Sequence, residues 1–193
     1  MKLRNLSVVF VGLAGIGILA ALPAGAAVTV MGKGLAQSCY QAAEFNLNPG
    51  DGIAACSTAL DEQALTPHDR ASTYVNRGIL RARLADTKGA GDDYDMAIGL
   101  MPDLAEAYID RGANFITLKN YRKALADLDK GLALGAKQPE IAYYDRAMAN
   151  ESLGDIRAAY EDYKKAVAIE PHFTLAIEQL RRFKVVRRSA DPI

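Results

Sequence analysis

Only two histidines, His68 and His172, and two cysteines, Cys39 and Cys56, stand among the 193 residues, so the side chains that most often hold a metal or act as nucleophiles are scarce. Neither histidine lies in a metal or nucleophile motif. The chain also has no Gly-rich phosphate loop, no Gly-x-Ser-x-Gly elbow and no metal-spaced cluster. Carboxylates are plentiful, as at Asp92, Asp93 and Asp95, but acid runs on helices are ordinarily solvated faces. His68 sits in Thr66-Pro67-His68-Asp69, which reads as a helix start with Thr66 as cap and Pro67 in the first turn; His172 follows Pro171 at the start of a last helix. The expectation is a protein that is not an enzyme, with no metal, no cofactor, no small-molecule substrate and no nucleic-acid partner. The chemistry left to place is a cysteine pair and a set of repeated polar residues.

Those polar residues repeat because the chain repeats. Ala71-Ser-Thr-Tyr74-Val-Asn-Arg77-Gly78 recurs as Ala105-Glu-Ala-Tyr108-Ile-Asp-Arg111-Gly112 and as Glu140-Ile-Ala-Tyr143-Tyr-Asp-Arg146-Ala147. The period of about 34 residues signals a solenoid of two-helix units that bury each other's apolar faces. A second helix in each unit carries small, large and small residues on one face: Ala90, Tyr94 and Ala97; Ala124, Leu128 and Gly131; Ala159, Tyr163 and Ala166. Pro102 and Pro171 close units one and three.

With these positions the chain resembles the tetratricopeptide repeat family over residues 71–171. Trp is absent, and Tyr74, Tyr108 and Tyr143 stand in its usual place. Arg81 and Asn150 occupy positions where an aromatic is usual, Phe115 alone conforming, and Ala136 replaces the closing proline of unit two. The resemblance implies an all-α, right-handed α-solenoid of antiparallel helix pairs, with units at 71–102, 105–136 and 140–171 within residues 67–171. It also implies protein binding. An arginine at the seventh position of each unit, Arg77, Arg111 and Arg146, is matched by Asp93, Asp127 and Asp162 on the second helices. These pairs are expected along the inter-helix seam, within or between units, adding roughly 0 to 1 kcal/mol each if exposed.

Residues 34–66 read as a divergent N-terminal helical hairpin, Gly34–Asn46 and Gly52–Glu62 about a turn at Asn48-Pro49-Gly50-Asp51, which brings Cys39 and Cys56 near each other. Whether they bond depends on compartment. Lys2 and Arg4 precede an uncharged stretch, Leu6 to Leu22, then Pro23 and Ala24-Gly25-Ala26, the pattern of a signal peptide over residues 1–26 cleaved after Ala26. The expected location is periplasmic or secreted, the alternative an uncleaved inner-membrane anchor. Export makes a Cys39–Cys56 disulfide the expected state, stabilising by roughly 3 kcal/mol and stapling an end unit that has a neighbour on one side only.

Net charge is zero, but the body is acidic and the end basic: Arg181, Arg182, Lys184, Arg187 and Arg188. Residues 172–188 are expected to form a basic capping helix, packing through Leu175, Ile177, Leu180 and Phe183, with 189–193 as a tail. On each first helix the stripe at positions five, nine and twelve should face the concave side in this fold. It is apolar: Val75 and Ile79, Ile109 and Ile116, Tyr144 and Met148, with Arg83 and Glu106 at the rim. The expected partner is a helix or an extended peptide. Family members that grip acidic chaperone tails use cations where this chain has Val75, Ile79, Asp110, Ile141 and Asp145, so that mode is excluded. By resemblance to exported members, the chain would be a scaffold or adaptor for envelope assembly, cell-wall remodelling or secretion. The alternative is a structural protein attached to an anionic envelope surface through its basic end.

Overall fold

The computed structural model describes residues 6–10, 26–30 and 34–187. Four antiparallel helix pairs follow one another: α1 (Leu35–Glu44) with α2 (Pro49–Glu62), α3 (Pro67–Arg83) with α4 (Thr87–Leu100), α5 (Ala105–Thr117) with α6 (Tyr121–Ala133), and α7 (Pro139–Ser152) with α8 (Ile156–Ile169). First helices of successive units touch each other, α1 with α3, α3 with α5 and α5 with α7, while second helices do so far less. The array therefore curves with its first helices inside. This is the all-α helical repeat that the periodicity predicts.

The pairs close where a side chain is missing or small. A Cβ on Gly78 would lie 2.5 Å from the ring of Tyr94, and one on Gly112 would lie 2.8 Å from Leu128 Cγ. Ala90, Ala97 and Ala124 on α4 and α6 are fully buried, and in unit three Ala147 on α7 is fully buried with Ala159 and Ala166 of α8. The small-large-small pattern is thus the contact surface itself.

Helix starts follow local chemistry. Thr66 Oγ1 accepts from the amide of Asp69 at 3.0 Å, with Pro67 in the first turn, as expected. The expected turn at Asn48–Asp51 is instead the beginning of α2. Asn48 caps it by accepting from Gly50 N at 2.9 Å, and Pro49 is the first helical residue. Asn at the cap followed by Pro is a helix start rather than a loop. Cys39 and Cys56, both buried, form the expected disulfide, joining α1 to α2 with Cα atoms 4.8 Å apart.

The seam carries a repeated ionic fork. Arg77 donates Nε and Nη2 to the two Asp93 oxygens at 3.0 and 2.7 Å. Arg111 and Arg146 repeat this with Asp127 (2.7 and 2.9 Å) and Asp162 (2.8 and 2.7 Å). The third nitrogen, Nη1, reaches back one unit, to Ser57 Oγ at 3.1 Å, Asp95 at 2.6 Å and Asp129 at 2.6 Å. Each guanidinium also covers the tyrosine of its own unit, Tyr74, Tyr108 or Tyr143. One side chain thereby ties both helices of a unit to the unit before. The two departures at the eleventh position join this fork: Arg81 Nη1 donates to Asp93 at 2.8 Å and Asn150 Nδ2 to Asp162 at 3.3 Å.

The C-terminal end differs from the expected capping helix. Helix α9 covers only Thr174–Leu180, and Phe183–Arg187 is a strand, β2, paired antiparallel with β1 (Leu6–Phe10). Val185 and Val186 are β-branched and favour extended backbone, and β1 supplies a ladder that the end of the chain alone could not reveal. Leu175, Leu180 and Phe183 do pack on unit three, Phe183 against Tyr160 and Tyr163. The basic patch is not one face of a helix. Arg181 is exposed, Arg182 pairs with Glu151 at 2.7 Å, Lys184 and Arg187 lie on β2, and Arg188 falls outside the described residues, as does most of the expected signal peptide. Among the described residues no helix is long and apolar enough to cross a membrane.

The aspartates of the forks are buried rather than exposed, Asp93 retaining 3% side-chain exposure against 64% for Asp95. Asp93→Ala strands two partly buried guanidinium groups and is expected to cost about 3 kcal/mol, whereas Asp95→Ala is expected to cost under about 1 kcal/mol. Urea denaturation of both variants measures the contrast; equal losses would contradict a structural role for the fork.

Candidate functional site

The apolar stripe does not form an open groove. Val75, Ile79, Ile109 and Tyr144 are all buried. Val75 and Ile79 belong to the cluster that includes Leu80, Tyr94 and Leu104; Ile109 fits over Gly131; Tyr144 stacks at 5.6 Å on Tyr163 and 5.2 Å on Phe173. Ile116 and Met148 are half-buried and pack on the same clusters. Arg83 is committed to the end of α1, donating to the carbonyls of Ala42 (3.2 Å) and Ala43 (2.5 Å). Glu106 is buried, its carboxylate accepting from Lys137 N at 3.4 Å.

The reason is rotational. Positions five, nine and twelve stand about 100° from the seam residues at four and eight, on a flank covered both by the second helix of the same unit and by the elements that follow it. The side opposite the seam belongs to position six, about 200° from position four. There the chain carries Asn76, Asp110 and Asp145, one per unit, all buried.

On this inner face lies an extended piece of the chain itself, residues 26–30. Asn76 brackets the backbone of Val28, its Oδ1 accepting from Val28 N–H and its Nδ2 donating to Val28 C=O, both at 2.8 Å. One unit further along, Asp110 Oδ1 accepts from Ala26 N–H at 3.2 Å. Val28 joins the cluster of Val75 and Ile79, Val30 joins Ala36 and Ala59 of the N-terminal hairpin, and Thr29 between them is exposed. The segment runs against the order of the units and alternates in and out with the period of a strand.

The same face holds uncompensated polarity. Among the described residues, Asp110 Oδ2, Asp145 Oδ2 and Asn114 Oδ1 are buried without a hydrogen-bond partner, as is Ser72 Oγ. Burial pushes the Asp145 carboxyl up to about 8. Asp110 is also pushed well above the ordinary carboxylate range, by burial first, then by the nearby charges of Asp145 and Glu106, against the pull of the Ala26 N–H and of Arg83. By contrast, a depression of about 330 Å³ between units two and three is lined by Asp129, Arg146, Asp162 and Lys165, whose charges already pair. Among the described residues no cluster could hold a metal ion. The sequence reading placed Asp110 and Asp145 in the groove only as residues unfavourable to an acidic tail, and it passed over Asn76, which completes the polar sixth position of the repeat.

Residues 141–173, which cover most of α7 and all of α8, match the family model described as tetratricopeptide repeat. The comparisons support the tetratricopeptide repeat family. Human serine/threonine-protein phosphatase 5 is 36% identical over 87 residues, 45% of this chain but only 17% of that protein. Among solved structures, MamA 41-end from Desulfovibrio magneticus RS-1 superposes with a TM-score of 0.62 at 21% identity, covering 78% of this chain and 84% of that one. The first TPR of Spaghetti (RPAP3) bound to HSP90 peptide SRMEEVD gives 0.57 at 23% identity, covering 60% and 93%. These two structural likenesses concern the fold alone.

The raised Asp145 has a thermodynamic consequence. Between the ordinary carboxylate value of about 4 and the folded value of about 8, the native state holds a proton that the unfolded state lacks. Stability therefore falls as pH rises through that window, by at most about 1.4 kcal/mol per pH unit from this group. Melting curves from pH 4 to 8 are expected to show that decline, and Asp145→Asn to flatten it; an unchanged slope would contradict the assignment.

Proposed function

We propose that this chain is a non-enzymatic protein-interaction module that holds an extended peptide on the inner face of its first helices. The observation that carries the reading is the Asn76 bracket on Val28. A side-chain amide paired with both backbone polar groups of one residue recognises backbone, and so accepts segments of varied sequence provided they are extended. Alternation adds selectivity: Val28 and Val30 turn inward and Thr29 outward. The ligand is accordingly aliphatic at alternate positions. It is not acidic, because a peptide such as the one held by the RPAP3 domain would meet the carboxyl groups of Asp110 and Asp145 where its own carboxylates need cations.

Export supports the setting. The leader pattern at Lys2 to Ala26, together with the Cys39–Cys56 bond, fits a periplasmic or secreted protein, the membrane-anchored form being the alternative. Processing after Ala26 would remove β1 and Ala26 and leave residues 27–30 of the groove segment attached. The role that follows is a scaffold or adaptor for partners in the bacterial envelope.

The segment already in place competes with any ligand supplied in trans. Full-length Val28→Asp is expected to bind a C-terminally labelled, acetylated peptide copied from residues 27–32 about tenfold more tightly than wild type, by fluorescence anisotropy. Adding Asn76→Ala should remove the gain. Absence of binding to Val28→Asp would contradict the groove reading.

A further inference from the structure

Asp110 and Asp145 take the sixth position of adjacent first helices, and Asn114 lies one turn beyond Asp110 on the same face of α5. Asp110 and Asp145 retain 4% and 1% exposure, Asn114 5%, and each has a buried oxygen that meets no hydrogen-bond donor among the described residues. Two aspartic acids and the nearby Glu106 crowd this pocket with carboxyl groups, and burial holds Asp110 and Asp145 toward the neutral form until a cation is seated among them. Arg83, the cation that acts on Asp110, spends its donors on the carbonyls of Ala42 and Ala43. The only donor that reaches Asp110 among the described residues is a backbone N–H, that of Ala26, and it reaches one oxygen of the two.

A neutral amide has one hydrogen to give; an ammonium has three and a charge. It is the group that satisfies several buried carboxylate oxygens together. The segment that enters the pocket does so with its N-terminal end, since Val28 lies at unit one and Ala26 at unit two. The small residues at Ala24 and Ala26 mark the bond after Ala26 for cleavage. Ala27, the residue that would then begin the chain, lies one residue, about 3.5 Å of extended backbone, from the nitrogen already bonded to Asp110.

We propose that Asp110 and Asp145, with Glu106 beside them and Asn114 as a further acceptor, form a receptor for the α-ammonium group created at Ala27, so that the processed chain seats its own N-terminus in the groove. This inference rests on the groove reading above and on cleavage after Ala26. The bracket at Asn76 holds the backbone, and the acidic pocket reads the chain end. A partner must displace this resident segment, and the segment that does so best is one presenting a chain terminus of its own.

The test uses the full-length chain carrying Val28→Asp, which frees the groove, and a C-terminally labelled hexapeptide, Ala-Val-Thr-Val-Met-Gly, copied from residues 27–32. Circular dichroism and a melting curve establish that the variant is folded, with Val28→Ser as the milder substitute. The free-amine peptide is expected to bind about tenfold more tightly than the acetylated one at pH 7. Adding Asp110→Asn and Asp145→Asn should erase that preference, while adding Asn76→Ala should weaken both peptides alike. Equal binding of the two peptides to Val28→Asp overturns the ammonium receptor and leaves the groove reading standing, as does a preference that survives the Asp→Asn changes. An acetylated peptide with Lys in first place that binds as tightly as the free amine overturns the assignment to a chain terminus. Failure of every peptide to bind overturns the groove reading itself.

Discussion

Paired helices in this protein approach closely only where a side chain is absent or small, and a bidentate arginine fork then fixes how far each helix is turned. Gly78 against Tyr94 and Gly112 against Leu128 set the distance. Arg77, Arg111 and Arg146 set the angle, since two nitrogens must meet both oxygens of one aspartate while the third reaches the preceding unit. With distance and angle fixed in every unit, each remaining position of the first helix has a defined outlook. The flank at five, nine and twelve is consumed by neighbours, and the sixth position is left for the inner face.

That allocation explains why the inner face is polar in a chain with so apolar an interior. A segment in extended conformation carries unpaired backbone donors and acceptors, and burying it against aliphatic side chains alone would leave them unsatisfied. Asn76 removes that cost for Val28, and Asp110 removes part of it for Ala26. Asp110 and Asp145 carry a cost of their own, since among the described residues neither has both oxygens paired, and burial raises both toward the neutral form. Buried acceptors of this kind tend to mark function rather than stability.

The repeat, the helix pairs, the cap at Thr66 and the disulfide were legible because each rests on contacts within one or two units. Arg81 and Asn150, which stand where an aromatic is usual, are second donors to the fork aspartates. The groove was misread by one step around the helix: a residue's distance from the seam is periodic, but which flank the neighbour covers depends on how units stack. The strand at Phe183–Arg187 was hidden for a different reason. Its partner, Leu6–Phe10, lies at the other end of the chain, where no local pattern points to it.

The central claim is that the inner face holds an extended backbone through Asn76. Amide hydrogen exchange at Val28, followed by NMR in the full-length protein, tests it most directly. The account predicts exchange slowed about tenfold to a hundredfold relative to an unstructured amide, with the protection lost in Asn76→Ala while the helices keep theirs. Exchange of Val28 at the unstructured rate in the wild type would contradict it.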